Sequence, residues 1–278
     1  MALLTVGRSQ IEISFSEPVS NELRMVALKW ISDASRAVAT YLGKFPVERV
    51  KIRIRVSGGK GARGGTTYGW NGALIKITMG RASTDEDLAD DWLMTHEMLH
   101  LGFPSVPQQH HWIEEGISTY VEPIARARAG LERPEALWKE LVDGLPQGLP
   151  KSGDRGLDHT PTWGRTYWGG AIFCLRADVE IRKRTGNRLG LEHALRAILA
   201  AGGTIESEWP LSRAIEIGDR ATGVPVLREL YDEMKATPVA VDLDRLWREL
   251  GIVPRGDRVT FDDSASRAAV RKAITTGS

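Results

Sequence analysis

The chain has 278 residues, of which 42% are hydrophobic and 26% charged, a composition typical of a folded globular protein. Its 37 basic and 36 acidic side chains leave a net charge of +1. Because no overall field would attract nucleic acid, we expect no nucleic-acid partner. The single cysteine, Cys174, excludes an intrachain disulfide and any metal site made of several cysteines.

The sequence contains no apolar stretch of the ~20 residues that a membrane-spanning helix needs, and we expect no membrane span. The first 15 residues also lack the basic start and the apolar centre of a signal peptide. A mature exported chain, from which such a peptide had been removed, would show the same sequence. The compartment therefore stays open.

The first 80 residues are predicted to form three strands and one helix. Hydrophobic and polar residues alternate over 11–15, 51–56 and 75–79, with the period of two that is typical of half-buried strands. Between the first two of these segments, apolar residues recur at helical spacing over 21–42, and Gly43 follows as a stop signal. The pattern indicates a small α/β unit.

A glycine-rich stretch, residues 57–72, separates the last two predicted strands. It contains seven glycines, but no Gly-Lys-Ser/Thr follows at the spacing of a phosphate-binding loop, and no Gly-x-Gly-x-x-Gly opens a helix. We therefore predict a mobile, hairpin-like connection at the rim of the molecule. The neighbouring basic residues, with Arg53 and Arg55 among them, are predicted to form a solvated strand face and not a nucleic-acid site.

Helices are predicted to dominate after residue 80. Ser83 and Glu86 fit a capping box, which predicts a helix from there to about Leu101, where Gly102 ends it. A long loop rich in glycine and proline is predicted over 144–164. Further helices are predicted over residues 112–129, 165–184, 191–200, 226–235 and 242–250.

The helix predicted from residue 83 to 101 carries the pattern His-Glu-x-x-His, at His96, Glu97 and His100. Residues four apart on an α-helix lie ~40° apart around its axis and ~6 Å apart along it, so both imidazoles can reach one ion from the same face. Glu97 lies one step round the helix, where its carboxylate can reach a metal-bound water. The pattern predicts a zinc site with Glu97 as general base. The alternative is two ordinary histidines on an amphipathic helix.

A catalytic zinc needs a third protein ligand and an open position for water. Glu115 is the best-placed candidate, because it lies early on the helix predicted over 112–129. Gly116, which follows it, allows another backbone to approach this helix closely. Glu122 lies two turns further along the same helix face. It is predicted to orient a ligand histidine, with a solvated or structural carboxylate as the alternative. The other candidate ligands are Glu114, His110, His111 and His159.

Two motifs resemble those of the gluzincin metallopeptidases, the clan that contains thermolysin and the aminopeptidase N-type enzymes. The first joins His-Glu-x-x-His to Trp-x-x-Glu-Gly-x-x-x-Tyr at 112–120. In this family the glutamate before the glycine is the third zinc ligand, which maps to Glu115. The second, Thr-Tyr-Trp-Gly-Gly-Ala at 166–171, is similar to the glycyl-aminopeptidase branch, whose transition-state tyrosine maps to Tyr167.

The resemblance implies an α+β, thermolysin- or gluzincin-like catalytic unit. In it, a small N-terminal α/β lobe, residues 1–84, faces a helical lobe, residues 85–278, across a cleft that holds zinc. A metallopeptidase of this kind hydrolyses a peptide or protein substrate, with Glu97 as base and Tyr167 as donor to the oxyanion. The strand at 73–79 is expected to be an edge strand that pairs with an extended peptide.

Specificity and two other functions stay open. The Gly-Ala-Met-Glu-Asn signature, which captures a free amino terminus in aminopeptidase N-type enzymes, is absent, so the resemblance does not separate endopeptidase from exopeptidase. The chain is also compatible with a non-hydrolytic zinc-binding interaction protein on a peptidase scaffold, or with a hydrolase of non-peptide amides. Glu97 speaks against the interaction protein, because a structural zinc needs no general base.

Overall fold

The N-terminal part of the chain is a five-stranded mixed sheet in the computed structural model, which describes residues 1–277. Its strands are β1 (Ala2–Val6), β2 (Ser9–Phe15), β3 (Arg49–Ser57), β4 (Ala62–Tyr68) and β5 (Ala73–Gly80). They lie in the order β1-β2-β3-β5-β4. The three central strands run parallel, and the edge strands β1 and β4 pair antiparallel with their neighbours.

A long helix, α1 (Asn21–Leu42), shares a hydrophobic core with one face of this sheet. The Ser20 side chain caps its start by accepting a hydrogen bond from the Leu23 amide at 3.1 Å. Gly43 ends it in the left-handed conformation, with φ of 80°. The helix has the predicted bounds, and the three predicted strands are present. The sheet residues buried in this core include Ile11, Ile13, Val50, Ile52, Ile54, Ile75 and Ile77.

The glycine-rich segment forms a hairpin with β5, as the predicted hairpin-like connection implies, but it contains an edge strand that was not predicted. Strand β4 pairs with β5, which places Thr67 opposite Ile75, so β5 is an interior strand and the expectation that it forms the edge was wrong. Glycine has a low strand propensity, and Gly64 and Gly65 therefore hid the signal of the threonines that follow. A register shift between Arg63 and Gly65 also breaks the alternation.

The rest of the described chain is mainly helical. Its helices are α2 (Asp85–Ala89), α3 (Leu93–His100), α4 (His111–Arg128), α5 (Pro134–Gly144), α6 (Gly170–Arg184), α7 (Leu191–Ala200), α8 (Leu211–Thr222), α9 (Val226–Met234), α10 (Leu243–Leu250) and α11 (Ala268–Thr276). A two-stranded hairpin, β6 (Ile252–Arg255) and β7 (Arg258–Phe261), precedes the last helix. Within residues 1–277, no helix has both the length and the apolar character that a membrane span requires.

The helix predicted from residue 83 to 101 is divided in two. Thr84 and Asp87 form a reciprocal capping box at the start of α2, one residue beyond the predicted pair. The chain then turns, and the Asp91 carboxylate accepts hydrogen bonds from the amides of Leu93 and Met94, at 3.0 and 3.4 Å. A carboxylate that bonds to nearby amides favours a new helix start over continuation, so α3 begins there. The break leaves a short helix that carries His-Glu-x-x-His.

A buried ionic network joins α4, α6 and α7. The Arg182 guanidinium donates to Asp178 at 2.8 Å and to Glu192 at 2.7 Å, and the Tyr120 hydroxyl donates to Asp178 at 3.0 Å. The side chains of Arg182 and Asp178 are fully buried. Because unpaired charges are costly in such surroundings, the network fixes how the three helices pack.

Candidate metal centre

Helix α3 presents the two histidines of the motif on one buried face. His96 is 4% exposed, and its Nε2 lies 3.2 Å from Oε2 of Glu115. Nε2 of His100 lies 3.5 Å from the same oxygen. Burial lowers the pKa of His96. Burial also opposes the charged form of His100, but the hydrogen bond to Glu115 and the negative charges of Glu115 and its neighbours together raise the pKa of His100.

Glu115 reaches the histidines from the first turns of α4. Burial opposes its ionisation, yet the imidazoles of His100, His111 and His96 hold the pKa of its carboxyl well below the ordinary range. The carboxylate is therefore ionised. Sequence spacing placed Glu115 on a helix, but the convergence with α3 depends on tertiary structure.

The donor set suits a divalent ion of the zinc type. One ligand atom each from His96, His100 and Glu115 lies within 4.8 Å of the others. Ligands bound tetrahedrally to one zinc lie about 3.3 Å apart, since each is ~2.0–2.1 Å from the ion. The observed separations of 3.2 and 3.5 Å between the imidazole nitrogens and the Glu115 oxygen are close to this value.

Glu97 is held by the edge strand and not by the histidines. The Thr67 hydroxyl lies 2.6 Å from Oε2 of Glu97 and 2.9 Å from its carbonyl oxygen, and it donates to one of them at a time. Gly65 permits this approach, because a Cβ there would lie 2.4 Å from Oε1 of Glu97. Thr67 and Gly65 were not among the predicted site residues. The two threonines after the paired glycines were the available signal.

Tyr167 lies in a π-helical turn, Arg165–Gly169, at the start of the predicted helix over 165–184. Its ring stacks on His96, with centroids 6.1 Å apart and planes 18° apart. Burial, together with the negative charges of Glu115 and Glu97, raises the pKa of the Tyr167 hydroxyl to about 12. The hydroxyl therefore stays protonated at neutral pH and can donate a hydrogen bond.

Helices α4 and α6 cross at two glycines, Gly116 and Gly170, and this close contact brings the Tyr167 turn to the histidines. A Cβ on Gly116 of α4 would lie 2.4 Å from the Gly170 backbone, and a Cβ on Gly170 would lie 2.2 Å from the Trp112 carbonyl oxygen. Only glycine fits on both sides of this contact. The two helices therefore cross close enough to place Glu115 and Tyr167 at one site.

The alternative ligands have other partners. Glu114 accepts hydrogen bonds from His111 at 2.7 Å and from the Val106 amide at 3.0 Å. His110 pairs with Asp158 at 2.9 Å. His159 is exposed on a short 3-10 turn. His111 does touch Glu115, at 3.2 Å, but through Oε1, the oxygen that does not face His96 and His100.

The role predicted for Glu122 needs correction. It is buried, but its hydrogen-bond partner in the described chain is Arg126, at 3.4 Å, and not a histidine of the cluster. Spacing by seven residues places Glu122 on the same side of α4 as Glu115, but two turns along a helix are ~10 Å. At that distance the Glu122 carboxylate reaches the guanidinium on its own helix.

Two exposed tryptophans stand beside the cluster. Trp163 is 60% exposed and stacks on Tyr167, with centroids 5.7 Å apart. Trp92 is 49% exposed and contacts the His96 ring edge-on, with centroids 5.4 Å apart. Large aromatic surfaces therefore flank both the histidine and the tyrosine of the site.

Several solved structures share this fold, and zinc metallopeptidases are among them. An aminopeptidase N family protein from Idiomarina loihiensis superposes with a TM-score of 0.69 at 13% identity, over 91% of this chain and 50% of its own. An M1 zinc metallopeptidase from Deinococcus radiodurans superposes with a TM-score of 0.54 at 13% identity, over 87% of this chain and 52% of its own. Native yeast LTA4 hydrolase superposes with a TM-score of 0.56 at 12% identity, over 95% of this chain and 41% of its own. The fold is gluzincin-like, as the motifs implied.

These likenesses concern the fold alone. No protein-family model matches the sequence, and no curated protein matches it. The chain spans about half the length of the structures it resembles, or less. The activity and substrates of this chain are therefore matters for proposal.

Proposed function

We propose that the chain is a zinc-dependent hydrolase of peptide bonds, a metallopeptidase of the gluzincin type. The observation that carries the proposal is the convergence, at one site, of the ligand set His96, His100 and Glu115 with Glu97 and the Tyr167 ring. The fold of zinc metallopeptidases supports it. A site meant only to hold zinc would have no use for a carboxylate and a phenol placed beside the ligands.

The three ligands would hold the ion, and the other two residues would act on the substrate. Zinc, when bound, lowers the pKa of a coordinated water to ~7 and polarises a carbonyl oxygen. Glu97, with one carboxylate oxygen kept near the Thr67 hydroxyl, takes the proton of the attacking water and delivers it to the leaving amine. Tyr167 donates a hydrogen bond to the oxygen on which negative charge develops.

The exposed edge of β4 supports a peptide as the substrate. β4 is the outermost strand of the sheet, and Thr67 on it lies against Glu97. An extended peptide that paired with this edge would add a sixth strand and carry its backbone past the base. The proposed peptide-binding edge is therefore β4 and not the strand predicted at 73–79. A small non-peptide amide could not use such a surface.

The test is cleavage of a mixed peptide library by the zinc-loaded protein, with Glu97→Gln as the matched variant. The variant keeps the size and hydrogen bonding of the side chain, so we expect it to retain fold and zinc. Its turnover should fall by ~10²–10⁴-fold, since the proton acceptor is gone. Equal cleavage by both proteins, or no cleavage by the zinc-loaded parent, would contradict the proposed peptidase function. The ends of the products also separate endopeptidase from exopeptidase.

A further inference from the structure

Trp163 and Trp92 combine high exposure with direct contact to the candidate centre. Trp163 is 60% exposed although it stacks on Tyr167, with planes 27° apart, and Trp92 is 49% exposed although it touches His96. Indole rings left open to water lose the favourable free energy of burial. Exposed apolar surface beside a functional centre is typical of a binding site. The hydrolytic chemistry proposed above uses neither ring.

The contacts define how far these surfaces lie from the reacting bond. Tyr167 touches both His96 and Trp163, with centroid distances of 6.1 and 5.7 Å. A carbonyl held by the Tyr167 hydroxyl would therefore have the Trp163 ring one aromatic contact away. Side chains of the residues that flank the scissile bond extend over that distance.

We propose that Trp163, which stacks on Tyr167, forms a side-chain subsite that selects peptides with an aromatic or large apolar residue next to the scissile bond, and that Trp92 beside His96 offers a second apolar surface. The proposal rests on the peptidase function above and names its substrate class. A flat apolar side chain would stack on an open indole and remove water from both surfaces. A small or charged side chain would gain little there.

A second role for Trp163 has to be distinguished from this one. Because it stacks on Tyr167, it also helps to hold that ring. If holding Tyr167 were its only role, its loss would lower kcat for every substrate by the same factor. A subsite instead changes the ratio of kcat/KM between apolar and small side chains.

The first arm of the test measures kcat/KM for peptides that are identical except at one position beside the cleaved bond, which carries Phe, Leu, Ala or Asp. We expect the parent to prefer Phe and Leu over Ala and Asp. Trp163→Ala should reduce the Phe-to-Ala ratio about 10- to 100-fold, and Trp163→Phe should retain part of it. Trp70→Ala is the control, because that indole is 88% exposed in the turn after β4. It should leave the ratio unchanged.

The second arm measures binding of the same peptides, fluorescently labelled, to zinc-loaded Glu97→Gln by anisotropy. We expect tighter binding of the Phe peptide, and loss of that preference when Trp163→Ala is added. A binding preference that Trp163→Ala removes, found without cleavage in the parent, would support the subsite and contradict the hydrolase. Equal loss for all four peptides, or no apolar preference in the parent, would overturn the subsite while leaving the hydrolase intact.

Discussion

At the residue scale, the site depends on a few polar atoms whose positions the surrounding aromatic and glycine residues fix. Tyr167 and Glu97 do not touch the same neighbours: one stacks on His96, and the other meets the edge strand at Thr67. Their proposed roles can therefore be separated by substitution. Each substitution below removes one functional group from the site, and the packing of the neighbouring side chains should persist.

Tyr167→Phe removes only the hydroxyl. We expect kcat to fall by ~10²–10³, with a small change in KM, because the lost hydrogen bond stabilises the transition state and not the bound substrate. The ring should keep its stacking on His96, so zinc content should not change. Steady-state kinetics and metal analysis of the same preparation check this. Normal turnover would show that Tyr167 serves only packing.

Thr67→Val removes the hydroxyl beside Glu97 and keeps the branched shape that suits a strand. Because the Thr67 hydroxyl lies 2.6 Å from the proposed base, we expect kcat to fall by about tenfold, the size of a typical hydrogen bond. Thr66→Val is the matched control, since that side chain points to the other face of β4. Equal kinetics in the two variants would mean that the base does not depend on the edge strand.

At the scale of elements, close approaches decide where the catalytic side chains meet. Helix α4 passes α6 at Gly116 and Gly170, and strand β4 passes α3 at Gly65. Each approach involves a glycine on which a Cβ would lie within 2.4 Å of another residue. Gly65, which lies in a predicted connection, is therefore a packing residue in the structure, and Gly116 allows the close backbone approach that was predicted for it.

Gly116→Ala should destabilise the protein and disturb Tyr167 together. The added methyl would meet the Gly170 backbone, which cannot rotate away, so we expect a loss of about 1–3 kcal/mol in the free energy of unfolding. Urea unfolding followed by circular dichroism measures it. Ser118→Ala, two residues along α4, is the control, because the buried Ser118 hydroxyl lacks a hydrogen-bond partner in residues 1–277. Unchanged stability in Gly116→Ala would show that the crossing tolerates a side chain.

Local signals predicted the regular elements well. Helix α1 has a cap, a helical period and a glycine stop within its own sequence, so its bounds followed without knowledge of neighbours. The two histidines of α3 were likewise fixed by helical spacing. The edge strand β4 was missed because its glycines and the register shift between Arg63 and Gly65 break the alternation. The break at Asp91 was missed because a side-chain cap does not change the hydrophobic period.

Tertiary contacts explain the rest of the site. Helical spacing placed Glu122 beside Glu115 but could not reveal that Arg126 lies within its reach. Sequence also gave no means to predict that Thr67, thirty residues before Glu97, supports that carboxylate. The third ligand followed from the family motif, and only the fold shows Glu115 facing His96 and His100.

At the scale of the whole molecule, stability should fall as pH rises through neutrality. Arg126 faces Glu122 and Glu132 at 3.4 and 2.9 Å, and Glu140 lies near the same guanidinium. Burial, with the charge of Glu132, raises the pKa of Glu140 to about 7, although Arg126 opposes the rise. Since the pKa of an unfolded glutamate is ~4.3, the folded state binds the proton more tightly.

The contribution of protonated Glu140 is thus complete below the unfolded pKa and is lost as pH rises through about 7. Glu140→Gln stays neutral at every pH, so we expect it to remove up to about 3 kcal/mol of this pH dependence. Urea unfolding at pH 5 and pH 8 measures the difference. A parent protein equally stable at both pH values would contradict the raised pKa of Glu140, and a variant with the full dependence would show that another group carries it.

The metal centre itself is tested most directly by the zinc-to-protein ratio after chelation, reloading and dialysis. We predict about one zinc per chain in the parent. Glu115→Gln should lose it, and its neighbour Glu114→Gln should retain it, because only the Glu115 carboxylate faces both histidines. Circular dichroism confirms that both variants are folded. A parent that binds no zinc, or a Glu115→Gln protein that keeps its zinc while Glu114→Gln loses it, would contradict the proposed site.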